Sequence, residues 1–107
     1  MNEIVTGPFR GYYIAAYACP SGGDREEYAP YIKLFDSRPE SYFEQIGCVL
    51  KARPPLLTNS AERALYLALA HARIMIEGLP PASELDQIKH QSLLEGFRAL
   101  PTQPVPL

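Results

Sequence analysis

Apolar residues recur along this chain with two different periods, and the change of period divides it. Between Ser60 and Gly78, SAERALYLALAHARIMIEG, the spacing is helical. At roughly 100° per residue, Ala61, Leu65, Ala68, Leu69, Ala72, Met75 and Ile76 share one face. Burying side chains such as Leu65, Leu69 and Ile76 there contributes roughly 1.5–3 kcal/mol each before conformational entropy is counted. Asn59 or Ser60 is placed to cap the start, and with Asn59 as the cap Glu62 stands where a capping box has its acid. Gly78 is the expected stop, as a residue free to turn left-handed, and Pro80-Pro81 forbids resumption. Leu67, Ala70 and Ile74 lie on the opposite side, so the helix is apolar on two faces where a surface helix normally has one.

Before residue 60 the period is two. Residues 1–8 read as a lead-in, with Gly7-Pro8 a turn signal. FRGYYIAAYAC, Phe9 to Cys19, is aromatic and β-prone, and Pro20 stops it. Alternation puts Tyr12, Ile14, Ala16 and Ala18 on one face and Tyr13, Ala15 and Tyr17 on the other. The first set carries the aliphatic and small residues against which a helix sits closely. PSGGDREE then makes a wide polar hairpin loop. The second strand is YAPYIKLFD, Tyr28 to Asp36, with Ile32 and Leu34 on one side and Tyr31, Lys33 and Phe35 on the other. Pro30 cannot donate to a ladder and suggests an edge or a strand start. SRPESYFE is irregular, with Tyr42 and Phe43 as hydrophobic plugs. QIGCVLKAR, residues 45–53, is the third strand, with Cys48, Leu50 and Ala52 on one face and Val49, Lys51 and Arg53 on the other.

After the helix, Ser83 can cap a second helix reaching about Gly96, with Leu85, Ile88, Leu93, Leu94 and Phe97 as its apolar residues. The last residues, 101–107, read as a flexible Pro-rich tail. The expected fold is therefore α+β: a three-stranded antiparallel meander packed on one long helix, β-β-β-α, with a C-terminal helix. In domain terms, residues 1–8 are the lead-in, 9–79 the core, 80–100 a helical appendage and 101–107 the tail.

Size and charge narrow the classes. A chain of 107 residues is one domain with a modest core. A net charge of -2 provides no overall basic field to gather nucleic acid. The start lacks the basic and apolar regions of a signal peptide, and no apolar run approaches the ~20 residues that cross a bilayer. The expectation is a cytoplasmic protein with no membrane partner, whose Cys19 and Cys48 remain free thiols.

Candidate chemistry is sparse. A metal site would need Cys19, Cys48, His71 and His90 to converge, and no pair of them has ligand spacing. Cys48 with His71 is the minimum nucleophile pair, but an alternating strand explains Cys48 as a small apolar residue. Ser21-Gly22-Gly23 is too short for a phosphate loop. No catalytic residue, cofactor or metal is assigned, and the expectation is a protein without enzymatic activity.

The outer sheet face is more informative. With Ile14, Ile32 and Leu34 on the helix, Tyr13, Tyr17, Tyr31 and Phe35 face away, with Lys33, Lys51 and Arg53 among them. Aromatics beside basic residues suit a protein interface or a platform for single-stranded nucleic acid. They can equally be covered by the chain itself, or serve as cross-strand pairs that steady a thin sheet. The strip Leu67, Ala70 and Ile74 is the second candidate contact. Its partner is either the segment 83–97 of the same chain or the same helix of a second subunit, and the sharp Pro80-Pro81 corner favours the fold-back.

RGYYIAAYA, YAPYIKLF and TNSAERALYLALAHARIMIEG together resemble uncharacterised small bacterial proteins with a β-β-β-α core. These have an aromatic first strand, a Tyr-x-Pro second strand and a Ser/Thr-capped, Ala-rich helix. The resemblance covers about residues 9–79 and implies a fold, not an activity. A looser likeness, through Ser60, Glu62 and Ala64, is to HicB-type antitoxins, which also place three strands before a helix. The double-stranded-RNA-binding domain is similar in strand order. The expectation is an interaction module that binds a protein partner or forms a homodimer; the alternative is a nucleic-acid-binding or antitoxin-like regulator.

Overall fold

The computed structural model describes residues 2–84. Four antiparallel strands, β1 (Glu3–Phe9), β2 (Tyr12–Pro20), β3 (Tyr28–Phe35) and β4 (Cys48–Ala52), lie in the order in which they occur, and one helix, α1 (Ala61–Glu77), covers one face. The class is α+β, with four strands rather than three. The segment expected to be a lead-in is β1, an edge strand paired with β2 from Glu3 opposite Tyr17 to Phe9 opposite Tyr12.

What hides β1 in the sequence is its turn. Arg10 and Gly11 have φ of 52° and 87°, the positive pair of a two-residue hairpin whose twist matches that of the strands. Arg is an uncommon occupant of the first position, so FRGYY reads as continuous strand. The ladder slips between Thr6 and Phe9, at Gly7-Pro8. A proline is tolerated there because β1 has no outer neighbour among the described residues.

β3 is central, yet Pro30 fits. It pairs with Ala18 of β2, while β4 reaches only as far as Ile32. Pro30 therefore has a ladder neighbour on one side only. At the other end of β4, Leu50 stands opposite Leu34 and Cys48 opposite Phe35, leaving Val49 as the extra residue of a bulge. The bulge corrects strict alternation. Val49 packs with the helix-side core, whereas Cys48 joins Phe35 and Tyr42 on the outer face.

The main core lies where alternation placed it. Tyr12, Ile14, Ala16, Ala18, Ile32 and Leu34 face Ala64, Leu65, Ala68, Ala72 and Ile76 of α1. Ala64, Ala68 and Ala72 are fully buried, and their small side chains let the helix lie close to the sheet. Leu69 and Met75 are only half-buried at its margins. Ser60 is the N-cap, its Oγ accepting from the Arg63 N–H at 3.1 Å. Thr58 holds this start in place by exchanging backbone hydrogen bonds with Tyr28 of 2.8 and 2.9 Å.

The helix does not end on a left-handed glycine. Gly78 has φ -88° and ψ 0°. The last turn tightens, with the N–H groups of Gly78 and Leu79 bonded to Met75 and Ile76, and Pro80 ends it. The chain then turns under the end of the sheet. Arg10 donates to the Leu79 carbonyl at 2.8 Å, Tyr12 to that of Pro80 at 2.6 Å, and the Ala82 N–H to Arg10 at 2.9 Å. The expected helix over 83–97 lies outside the described residues except for Ser83 and Glu84, and the tail lies wholly outside them.

Candidate interaction surfaces

The outer sheet face is built from alternate residues of all four strands. β1 gives Glu3 and Val5; β2 gives Tyr13, Ala15 and Tyr17; β3 gives Tyr31, Lys33 and Phe35; β4 gives Lys51. Six of the seven residues expected at the sheet surface lie on this side of the sheet, and Arg53, just past β4, lies over Tyr31, but the chain covers part of the face. Segment 36–47 returns across the face and lays Tyr42 into it, so that Tyr42 is only 8% exposed. The Tyr42 ring stacks on Tyr17 at 5.3 Å between centroids and meets Tyr31 edge-on at 6.4 Å. Its N–H donates to Glu3 Oε1 at 2.7 Å, tying the segment to β1. Of the two expected plugs, Tyr42 is one. Phe43, 59% exposed, leans edge-on against Tyr17 at 5.0 Å from the outside.

Two members of the expected surface are thereby removed from it. Phe35 is fully buried, packed with Ala15 and Tyr42. Lys33 is buried too: its Nζ lies 4.6 Å from the centre of the Tyr42 ring and donates to the Glu44 carbonyl at 3.2 Å. A cation over a ring and bonded to a carbonyl keeps part of what it loses on leaving water. Burial, and then neighbouring Tyr31 and the two thiols, push the Tyr42 phenol above its ordinary value of 10.0.

What remains open is a shallow basin. Tyr31, Lys33, Tyr42, Lys51 and Arg53 line it, and no acidic side chain is among them. Lys33 and Lys51 stand directly opposite each other on adjacent strands, an arrangement that costs free energy unless something compensates it. Arg53 lies over Tyr31, its guanidinium carbon 5.1 Å from the ring centre. Tyr13, at the other end of the face, is approached by Arg38 at 6.0 Å.

The second surface is the helix side turned away from the sheet. Leu67, Ala70 and Ile74 are all exposed, Ile74 by 68%, and Tyr66 beside them by 62%. The expected strip is therefore present, and nothing in residues 2–84 covers it. Sequence reasoning missed its extension. Pro54, Pro55 and Leu56, in the connection from β4 to α1, line a groove with Leu67, Ala70, His71 and Ile74. Leu57 joins Tyr66 and Leu67 in a second hollow. Leu56 and Leu57 are 46% and 49% exposed. The signal was there in PPLLTN, two consecutive leucines in a connection, where a lone strand-to-helix link needs none.

Among the described residues, no three His, Cys, Asp or Glu side chains gather as metal ligands, and Cys19 and Cys48 are free, half-buried thiols. His71 is exposed on the flank of the groove. No described helix is long and apolar enough to cross a membrane. Comparison with protein-family models, with curated proteins and with solved structures returns no match for this chain.

Proposed function

We propose that this chain is a protein-binding module that docks its partner on the outer face of α1. The observation that carries the reading is the continuous apolar band of Leu56, Leu57, Tyr66, Leu67 and Ile74, all substantially exposed. Single exposed leucines are ordinary; a contiguous group on one ridge marks an interaction site. The sheet behind it gives the helix a rigid mount, and the sheet's own Tyr17 and Tyr31 rings are already packed against Tyr42. The test is a photo-crosslinking phenylalanine analogue at position 66 in protein expressed in cells. Irradiation should yield adducts, and Ile74→Lys should abolish them. Absence of any adduct would refute the reading.

One observation favours a second reading, nucleic-acid binding through the sheet basin. The exposed Lys51 and Arg53, beside the Tyr31 ring at the edge of the Tyr42 cover, suit a phosphate flanked by a base. Titration with mixed single-stranded oligonucleotides decides it. Binding that falls steeply with salt and is lost on Tyr31→Ala or Lys51→Glu would establish this function. No binding tighter than about tens of micromolar at physiological salt would leave the basin without a nucleic-acid role.

A further inference from the structure

The outer face of α1 is complementary to itself. Taking Ala70 as its centre, the helical rotation places Arg63, Leu67, Ala70, Ile74 and Glu77 along one ridge, directly away from the buried Ala68 and Ala72 and the half-buried Ala61. Their separations of four, three, four and three residues are those of a seam between two packed helices. The ridge is also symmetric in content. Arg63 and Glu77 are each seven residues from Ala70, of opposite charge and exposed. Leu67 and Ile74 flank Ala70 at three and four residues.

From this we infer that the partner of the α1 ridge is a second copy of this chain, its α1 antiparallel to the first and related by a two-fold axis through Ala70. This rests on the reading of the ridge as a protein-binding face and names the occupant. An isologous interface requires that a patch fit itself. In this arrangement Ala70 meets Ala70, and the small side chains let the axes approach closely. Leu67 of each copy packs on Ile74 of the other, and Arg63 of each faces Glu77 of the other, twice over. A parallel pairing would place Arg63 on Arg63 and Glu77 on Glu77. The charges therefore choose the direction. The two-fold also sets the Pro55–Leu56 connections of the two copies along the same side of the helix pair, where they widen the apolar contact.

The other available occupant is residues 85–107 of the same chain. The described chain leaves α1 away from the ridge: Leu79, Pro80 and Ala82 are bonded to Arg10 and Tyr12 at the end of the sheet. The sharp corner that favoured a fold-back from sequence is used to reach the β1–β2 turn instead.

The experiment is sedimentation equilibrium of the full chain over a range of concentrations. Its mass should rise from one chain towards two. Leu67→Asp should hold it at one chain with a cooperative melting transition that no longer depends on protein concentration, since Leu67 is not part of the sheet-side core. Arg63→Glu and Glu77→Arg should each weaken association about tenfold or more by setting like charges opposite, and the double variant should recover it. That recovery is specific to the antiparallel pairing and does not depend on Leu67→Asp remaining folded. A chain of single mass at every concentration overturns the proposal, as does a dimer indifferent to all four variants. The mass of the adduct formed from position 66 separates this failure from failure of the broader reading. Twice the chain mass supports self-pairing. Another mass means a different protein docks here, and a link within one chain means residues 85–107 occupy the ridge; either overturns the pairing. No adduct at all refutes the docking face itself.

Discussion

The hydroxyl of Tyr12 donates a 2.6 Å hydrogen bond to the carbonyl of Pro80, joining the first residue of β2 to the chain that leaves α1. Tyr12 is fully buried, and burial pushes its phenol above the ordinary value, with Arg10 opposing and Glu84 adding to the shift. The bond closes the end of the core, where the chain leaving α1 is tied to the β1–β2 turn by this hydroxyl, by the Arg10 side chain and by the backbone bond from Ala82 to Arg10.

Tyr12→Phe keeps the ring and removes this bond. The expected loss of stability is about 0.5–1.5 kcal/mol, read from the midpoint of denaturant unfolding. The variant should also make the backbone amide of Ala82 exchange faster with solvent, because its bond to Arg10 depends on the same corner. An unchanged midpoint and unchanged exchange would show that the proline corner holds itself.

The helix core has a graded boundary that single substitutions resolve. Ile76 is almost fully buried among sheet residues, whereas Leu69 is half-buried at the margin. Ile76→Ala should cost about 2–5 kcal/mol, and Leu69→Ala about 1–2, because the cavity at the margin opens to water. Equal losses would place Leu69 deeper in the core than its exposure indicates.

The helix was legible in the sequence because its signal is long: seven apolar positions in register, a cap residue and a proline stop. Alternation likewise assigned Ile14, Ile32 and Leu34 to the correct side of the sheet. The errors come from single residues that change the rule locally. Arg10-Gly11 makes a tight turn with an atypical first residue, so nothing in the sequence separates β1 from a lead-in. Val49 is an extra residue in the ladder, so strict alternation puts Cys48 on the wrong face. Gly78 suggests a left-handed stop, although the proline two residues later suffices. The candidate surfaces were legible by face but not by exposure. Nothing local reveals that an irregular segment such as 36–47 will fold back and cover Phe35 and Lys33, since that depends on contacts between residues distant in sequence.

Tyr42 makes the closure of that segment sensitive to alkali. Its folded-state pKa lies above 10.0, chiefly through burial, so the folded protein holds the phenolic proton more tightly than the unfolded chain. Its contribution is complete below the unfolded value and is lost as pH rises through the folded one. Unfolding free energy should therefore be flat with respect to this group up to about pH 9, then fall above pH 10. Tyr42→Phe should reduce that alkaline slope. An identical slope in the variant would assign it to other tyrosines.

Lys33 offers the last test, because two opposing effects meet at one side chain. Facing Lys51 across the ladder is unfavourable by about 0.2–1 kcal/mol. The bond from its Nζ to the Glu44 carbonyl is favourable by about 1.5–3 kcal/mol. The approach to the Tyr42 ring adds about 0.5–1 kcal/mol. The favourable terms are larger, so Lys33→Met, which keeps the apolar stem, should destabilise the protein by about 1–3 kcal/mol. Salt separates the terms. Added salt screens the exposed Lys51 and Arg53 from Lys33 more than it weakens the buried bond, so the native protein should gain stability as salt rises. The Lys33→Met variant should gain less. If the variant is instead more stable than the native chain at low salt, repulsion dominates the basin. An anion that binds between Lys33 and Lys51 would then stabilise the native protein and leave the variant unaffected, which a melting series in phosphate against chloride would reveal.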